Sequence, residues 1–235
     1  MVTAQSGGLD AMAKHFKELL ESAGIRRHDQ VVLYEDAMDN GYGQSCRGRF
    51  MLNYFGHENV RALHGGYRAW RAKGLPLTDE KTRVERSVYD VQINSAEMLT
   101  SDDILEAIGD PSIILLDCRD YAEWIGVTSS PYAIDFSPRK GRIPGAVWIE
   151  WYRMMYRKGG IPWIKSKQEI LEVCEQVGIN TDTKVYIYCF KGARASNMLT
   201  ALKIAGVKDV RNYLGSWHDR ALNPDLPIDE DYPEY

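Results

Sequence analysis

Two stretches of this chain repeat each other, and that constrains its fold more than any other feature. GIRRHDQVVLYE at 24–35 overlays GINTDTKVYIYC at 178–189, and NVRALHGGY at 59–67 overlays DVRNYLGSW at 209–217. The two registers, 154 and 150 residues, differ by four, and the difference falls in the loop after the first shared strand. Each copy alternates strand and helix, the pattern of a parallel α/β sheet. The chain is therefore expected to hold two copies of one α/β unit, with Glu35 in the first copy where the second has Cys189.

Around these anchors the rest of the order can be read. Phe16, Leu19, Leu20 and Ala23 recur at helical spacing and Gly24 stands at the C-cap, so a helix is expected over 12–23. VVLYE then reads as a short buried strand, RGRFMLNYF as a helix, VRALH as a strand, and YRAWRAKG as a helix closed by Gly74 and Pro76. Residues 78–87, TDEKTRVERS, are charged and without apolar period, which predicts a linker between a first domain at 1–77 and a second at 88–235. In the second half VYDVQI predicts a strand and SAEML a helix. SIILLDCRD follows as the best buried strand in the chain. A polar loop through Arg142, the strand AVWIEW, a helix near 166–177, the strand KVYIY, a helix from about Ala195 and the strand VRNYL complete a five-strand unit. Far fewer residues precede the shared helix in the first copy than in the second, so the first domain is expected to lack its N-terminal half.

Charge and cysteine content narrow the function. With 29 basic and 33 acidic residues mixed along the chain and a net charge of −4, nucleic acid is not an expected partner. No apolar run approaches the roughly 18 residues of a membrane span, and MVTAQSGGLDAMAKHF has no secretory core, so neither a membrane nor export is expected and a cytoplasmic location is. Cys46, Cys118, Cys174 and Cys189 are scattered without a CxxC pair, which predicts neither a metal site nor a disulfide framework. Cys46, Cys118 and Cys174 read as packing residues.

Cys189 reads differently because of its place. It ends the strand KVYIY and is followed by Phe190, Lys191, Gly192, Ala193 and Arg194 before a helix. Ligands of open parallel sheets bind outside the carboxyl ends of the strands. Loop amides, a helix N-terminus and the cations Lys191 and Arg194 would lower the thiol pKa and leave a thiolate without any neighbouring histidine.

CFKGAR at 189–194, LLDCRDYAEWIG at 115–126, RIPGAVWIEW at 142–151, GGYRAW at 65–70 and LGSW at 214–217 together resemble the rhodanese sulfurtransferases in their tandem-domain form. The resemblance implies two rhodanese-like domains, each a parallel sheet flanked by helices, the first inactive and the second catalytic. It implies that Cys189 takes the outer sulfur of thiosulfate as a persulfide and passes it to cyanide or a thiol, with no cofactor and no metal. Residues 190–194 would bind the substrate, Lys191 attracting the sulfite portion and Arg194 bracing loop or anion. Related phosphatases and arsenate reductases place five residues between cysteine and arginine, whereas here four intervene, a loop sized for sulfur. The basic Lys191 favours thiosulfate over 3-mercaptopyruvate, whose enzymes resemble CGSG in this loop. A non-enzymatic sulfur carrier, or a module that binds an anion or a partner, is the alternative.

Asp117 and Arg119 either hold the active loop, as the resemblance implies, or form an ordinary strand-end ion pair. Trp217 either walls the pocket or belongs to the core. Arg142 replaces the histidine usual before IPGA, and Arg139, Lys140 and Arg142 either add positive potential or form a solvated loop. The family's strand order also leaves Val31, Val32, Leu33 and Tyr34 as an unpaired edge, which predicts self-association through residues 31–34 or a mobile first domain, unless residues 1–23 cover it.

Overall fold

The computed structural model describes residues 6–40 and 43–233. Helix α1 (Ser6–Ser22) is followed by strand β1 (Val31–Leu33), helix α2 (Gln44–Tyr54), strand β2 (Val60–Ala62) and helix α3 (Gly66–Ala72). β1 and β2 pair in parallel, Val31 opposite Val60 and Leu33 opposite Ala62. Among the described residues β1 has no strand on its other side. Strand alternation sorts its side chains between two faces. Val31 and Leu33 pack toward Leu20, Leu52 and Val60, whereas Val32 and Tyr34 are 50% and 66% exposed.

The remaining chain builds the main sheet. Its elements are β3 (Met98–Leu99), α4 (Ser101–Ala107), β4 (Ile113–Asp117), α5 (Tyr121–Trp124), β5 (Val147–Trp148), a 3-10 turn (Trp151–Met154), the antiparallel hairpin β6 (Met155–Lys158) and β7 (Ile161–Ile164), α6 (Lys167–Glu175), β8 (Lys184–Tyr188), α7 (Ala193–Ala205), β9 (Asp209–Tyr213) and α8 (Ser216–Leu222). Five strands pair in the order β3-β9-β8-β4-β5, every pair parallel. The apolar runs of β4 and β8 take the middle because only strands covered on both faces can bury such sequences. On one face Leu116, Val185 and Ile187 pack with α6, α7 and residues Phe50 and Met51 of α2. On the other, Leu115, Tyr186 and Tyr188 pack with Ile104 of α4, Tyr213 and Trp217. The fold is thus α/β, a parallel sheet flanked by helices.

α2 lies directly against α7, and one apolar cluster continues from the sheet through α7 into α1 and α2. A Cβ at Gly43 would come within 3.0 Å of Asn197, which in turn reaches the Cys46 sulfur at 3.8 Å. Among the described residues no helix is long and apolar enough to cross a membrane.

Two expected elements are corrected. VYDVQI forms no strand, and SAEML is not a helix but ends in the outer strand β3. Two of the apolar residues of VYDVQI are buried without a ladder: Tyr89 and Val91 pack against Leu20, Leu52 and Val60, and Tyr89 contacts His57 through its hydroxyl at 3.2 Å, whereas Val88 and Ile93 stay exposed. The helix begins only at Ser101, where Thr100 and Asp103 cap each other reciprocally. The β6–β7 hairpin was not expected at all. Residues 75–95 are without helix or strand, yet the charged part is anchored, Arg86 pairing with Glu18 and Glu21 at 2.7 Å each and Ser87 donating to Ile25 O at 2.6 Å.

Candidate active site

Cys189 follows β8 directly, beside Cys118 at the end of β4. The two strands run in register from Ile113 opposite Lys184 to Asp117 opposite Tyr188. The next positions, 118 and 189, are neighbours, and both side chains turn to the same buried face, 0% and 1% exposed. Cys118 is tied across the strands by its amide to Tyr188 O at 3.0 Å, and its sulfur lies 3.2 Å from the same oxygen.

The chain then turns sharply into α7. Gly192 takes φ 75°, and a Cβ there would meet Leu214 Cδ1 at 2.6 Å, so only glycine fits this turn. The amides of Lys191 and Ala195 donate to the Cys189 sulfur. The segment after β9 fixes the loop from behind: Cys189 N donates to Ser216 Oγ at 3.1 Å, Trp217 N to Cys189 O at 3.0 Å and His218 N to Phe190 O at 3.0 Å. Ser216 is the one described non-glycine residue with a left-handed φ, 55°, and its hydroxyl donates to Tyr213 O at 2.7 Å. A strained residue held by two hydrogen bonds beside the thiol is a positioning device.

Burial by itself would push the Cys189 thiol up. The Cys118 thiol, the Arg194 charge and the amides of Ala195 and Lys191 outweigh it and bring Cys189 well below the usual thiol range. Cys118 moves oppositely: burial first, then the anion it faces, hold it protonated as the donor. Cys46 and Cys174 are pushed up by burial to about 11 each. Among the four thiols only Cys189 is shifted toward the anion.

Each expected site residue has a definite place. Arg194 is buried and its guanidinium is engaged by Glu123 at 2.5 and 2.9 Å and by Asp120 at 3.0 Å, so it braces the loop from α5. Lys191 projects into the mouth, its ammonium 5.1 Å from the Phe136 ring centre, 5.2 Å from Phe190 and 5.7 Å from Tyr132. Asp117 and Arg119 form a fully buried pair with contacts of 2.6 to 3.0 Å. Arg119 also donates to Gly141 O at 2.7 Å and stacks on Trp217, 4.6 Å away. The pair is therefore a strand-end ion pair that touches the active loop through Trp217, which lies wholly in the core. Arg139 caps carbonyls of Arg220, Asn223 and Leu226, and Arg142 donates to Asp231 O, so neither faces the mouth.

A cavity of about 590 Å³ opens over the loop. Lys191, Leu214 and His218 form one wall, and the other comes from the first half of the chain: Met12, His15 and Phe16 of α1 with Gln44, Arg47 and Met51 of α2. Arg47 thus faces the same space as Lys191. Sequence reading did not find Cys118, Glu123, Ser216 or Arg47 as site residues. Equal strand ends in the DCRD and YCFK stretches are the signal for Cys118, but its use requires the sheet order.

The family model described as Rhodanese-like domain matches residues 100–221. The chain belongs to the rhodanese family. It is 28% identical over 205 residues to the thiosulfate sulfurtransferase of Rattus norvegicus, covering 87% of this chain and 67% of that one. It is 32% identical over 222 residues to the sulfur carrier protein TtuD of Thermus thermophilus, covering 92% of this chain and 76% of that protein. Among solved structures, EanB with a cysteine persulfide and ergothioneine superposes with a TM-score of 0.82 at 26% identity. The alignment covers 94% of this chain but 56% of the EanB chain, so this chain spans little more than half of that protein. Its curated relatives thus include thiosulfate sulfurtransferases and a sulfur carrier protein.

Proposed function

We propose that the chain is a thiosulfate sulfurtransferase working through a persulfide on Cys189. The observation that carries this reading is the buried Cys189 at the end of β8, its thiol made more acidic by Cys118, Arg194 and the loop amides, beside a cavity lined by Lys191 and Arg47 as well as Asp219. The thiolate attacks the outer sulfur of thiosulfate. The sulfur–sulfur bond breaks and sulfite leaves with the bonding pair, so no general base is required. The amides of Lys191 and Ala195 are directed at the reacting sulfur before any substrate arrives, which is the electrostatic preorganisation that lowers such barriers. Cyanide or a thiol then removes the outer sulfur and returns the thiolate.

In this reading the first half of the chain is a non-catalytic copy, residues 1–77, joined through 78–87 to the catalytic domain at 88–235. Its part is to roof the cavity with α1 and α2. The open outer side of β1 would let two chains associate through residues 31–34, and concentration-dependent mass in light scattering tests that. The ordinary assay is thiocyanate formation from thiosulfate and cyanide, run beside the same assay with 3-mercaptopyruvate. Thiosulfate is expected to be the better donor, because Lys191 and Arg47 suit a dianion. Faster turnover with mercaptopyruvate would overturn the donor assignment, and no turnover with either would overturn the enzyme. The similarity to a sulfur carrier supports a second reading, in which the loaded Cys189 is discharged to a partner protein rather than to a small thiol.

A further inference from the structure

The mechanism just described uses one cysteine, and the structure puts two in the site. Cys118 and Cys189 occupy successive register positions at the ends of adjacent parallel strands, on one face and equally buried. Neighbouring strands lie about 4.8 Å apart. That spacing falls within the Cα separation of about 4.4–6.8 Å that a disulfide accepts. The Cys118 sulfur lies 3.2 Å from Tyr188 O, the carbonyl that joins directly to Cys189, in the same buried cluster as the Cys189 sulfur. Cys46 and Cys174 lie elsewhere in that cluster: Cys46 meets Asn197, and Cys174 packs among the apolar residues of α6.

We infer that Cys118 is a resolving thiol, which closes on the Cys189 persulfide and expels its outer sulfur as hydrosulfide. The inference rests on the persulfide reading above. Cys118 sulfur bonds to Cys189 Sγ, and the bond from Cys189 Sγ to the outer sulfur breaks. The outer sulfur leaves with the pair, takes the Cys118 proton and departs as HS⁻. The sulfane sulfur is reduced to sulfide, and the two cysteine thiols are oxidised to a disulfide, so no external oxidant takes part. A small dithiol resets the pair by exchange and is itself oxidised to its disulfide. Cys118 is held protonated against its anionic neighbour, so the proton that the leaving sulfur needs is at the reacting atoms. An empty site has nothing to expel, and the pair stays open until sulfur is loaded. Acceptors that discharge the persulfide quickly compete with closure, which makes sulfide release the fate of sulfur that finds no acceptor.

The test uses the full chain with excess thiosulfate and no reductant or acceptor. Free thiols are then blocked, peptides are mapped by mass spectrometry and released sulfide is trapped. The wild-type protein is expected to give a peptide pair linked through Cys118 and Cys189, with sulfide released in step with the link. Cys118→Ser is expected to lose both and to retain a persulfide on Cys189. A wild-type persulfide that stays on Cys189, with no link and no more sulfide than the variant releases, would overturn the resolving role and leave the sulfurtransferase reading standing. Absence of sulfur on Cys189 in both proteins would overturn both. The mapping of the wild-type chain decides the matter even if Cys118→Ser does not fold.

Discussion

The strand–loop–helix of β1 and α2 and that of β8 and α7 make the same kind of socket and fill it differently. After β1, Glu35 accepts from Gln44 N at 3.0 Å, Ser45 N at 3.2 Å and Ser45 Oγ at 2.5 Å. After β8, the Cys189 sulfur accepts from the amides of Lys191 and Ala195. Ser45 and Ala195 are equivalent positions in the sequence overlay, so one backbone donor serves both anions. A carboxylate there serves as the cap of a helix and has no further chemistry. A thiolate in the same donors is a nucleophile. The surroundings of an anion hole, and not the hole alone, therefore decide whether it reacts. The second socket adds a thiol at the end of the adjoining strand and a buried arginine braced by Glu123.

The largest effect should come from removing the difference itself. Cys189→Ser is expected to reduce thiocyanate formation to background, because an alcohol in this socket is neither ionised nor a sulfur nucleophile. Persistent turnover in that variant would place the chemistry elsewhere.

Next is the brace that the first socket lacks. Arg194→Ala leaves Glu123 buried and unpaired, and breaking a buried ion pair costs about 3–5 kcal/mol. Denaturant titration should show that loss, together with failure of Cys189 to load sulfur. A stable, active variant would mean that the socket holds without its arginine.

The acidity of the two fillings gives a third test. An ordinary thiol with pKa about 8.5 loses about fiftyfold of its thiolate between pH 8.5 and 6.5. Cys189 is held well below that value by Cys118, Arg194 and the loop amides against the opposing effect of burial. Its rate of loading should stay flat over this interval and fall only when more acid pH reaches the folded pKa. The same depression adds stability that is fully present above the unfolded pKa and is lost as pH falls through the folded one. A steep fall in loading between pH 8.5 and 6.5 would show an ordinary thiol.

Lys191→Ala should lower the efficiency with thiosulfate by about tenfold or more, the worth of a charge-assisted contact of about 1.5–3 kcal/mol. Folding stability should hardly change. Unchanged efficiency at low salt would assign anion capture to Arg47 alone.

The smallest effect belongs to the first socket. Glu35→Ala removes the acceptor for the start of α2 and should cost about 0.5–2 kcal/mol of stability, as lost helix caps do. Sulfur loading at Cys189 should survive. Loss of loading in a folded Glu35→Ala protein would show that the two sockets are coupled through α2 and α7.

What the sequence made legible follows from what each signal depends on. IILLD and KVYIY announce themselves because fully buried parallel strands need unbroken apolar runs. The loop from Cys189 to Arg194 stands out because a thiol, a glycine and two cations at a strand end are rarely a packing set. VYDVQI misleads because alternation reports a half-buried extended chain, and Tyr89 and Val91 meet that condition without a ladder. The hairpin stays hidden since Arg157, Lys158 and Pro162 dilute its pattern, proline being confined to edges. Cys118, Glu123 and Ser216 act on Cys189 only once β4 is known to lie beside β8 and the turn after β9 behind the loop. No local pattern carries that information.

The central claim, that one thiol in one of the two sockets takes the sulfur, is tested most directly by peptide mass spectrometry of the wild-type chain quenched within the first turnover with thiosulfate. The account predicts a gain of one sulfur on the Cys189 peptide, removed by cyanide, with the peptides of Cys46 and Cys174 unchanged. Sulfur on either of those peptides, or on none, would contradict it.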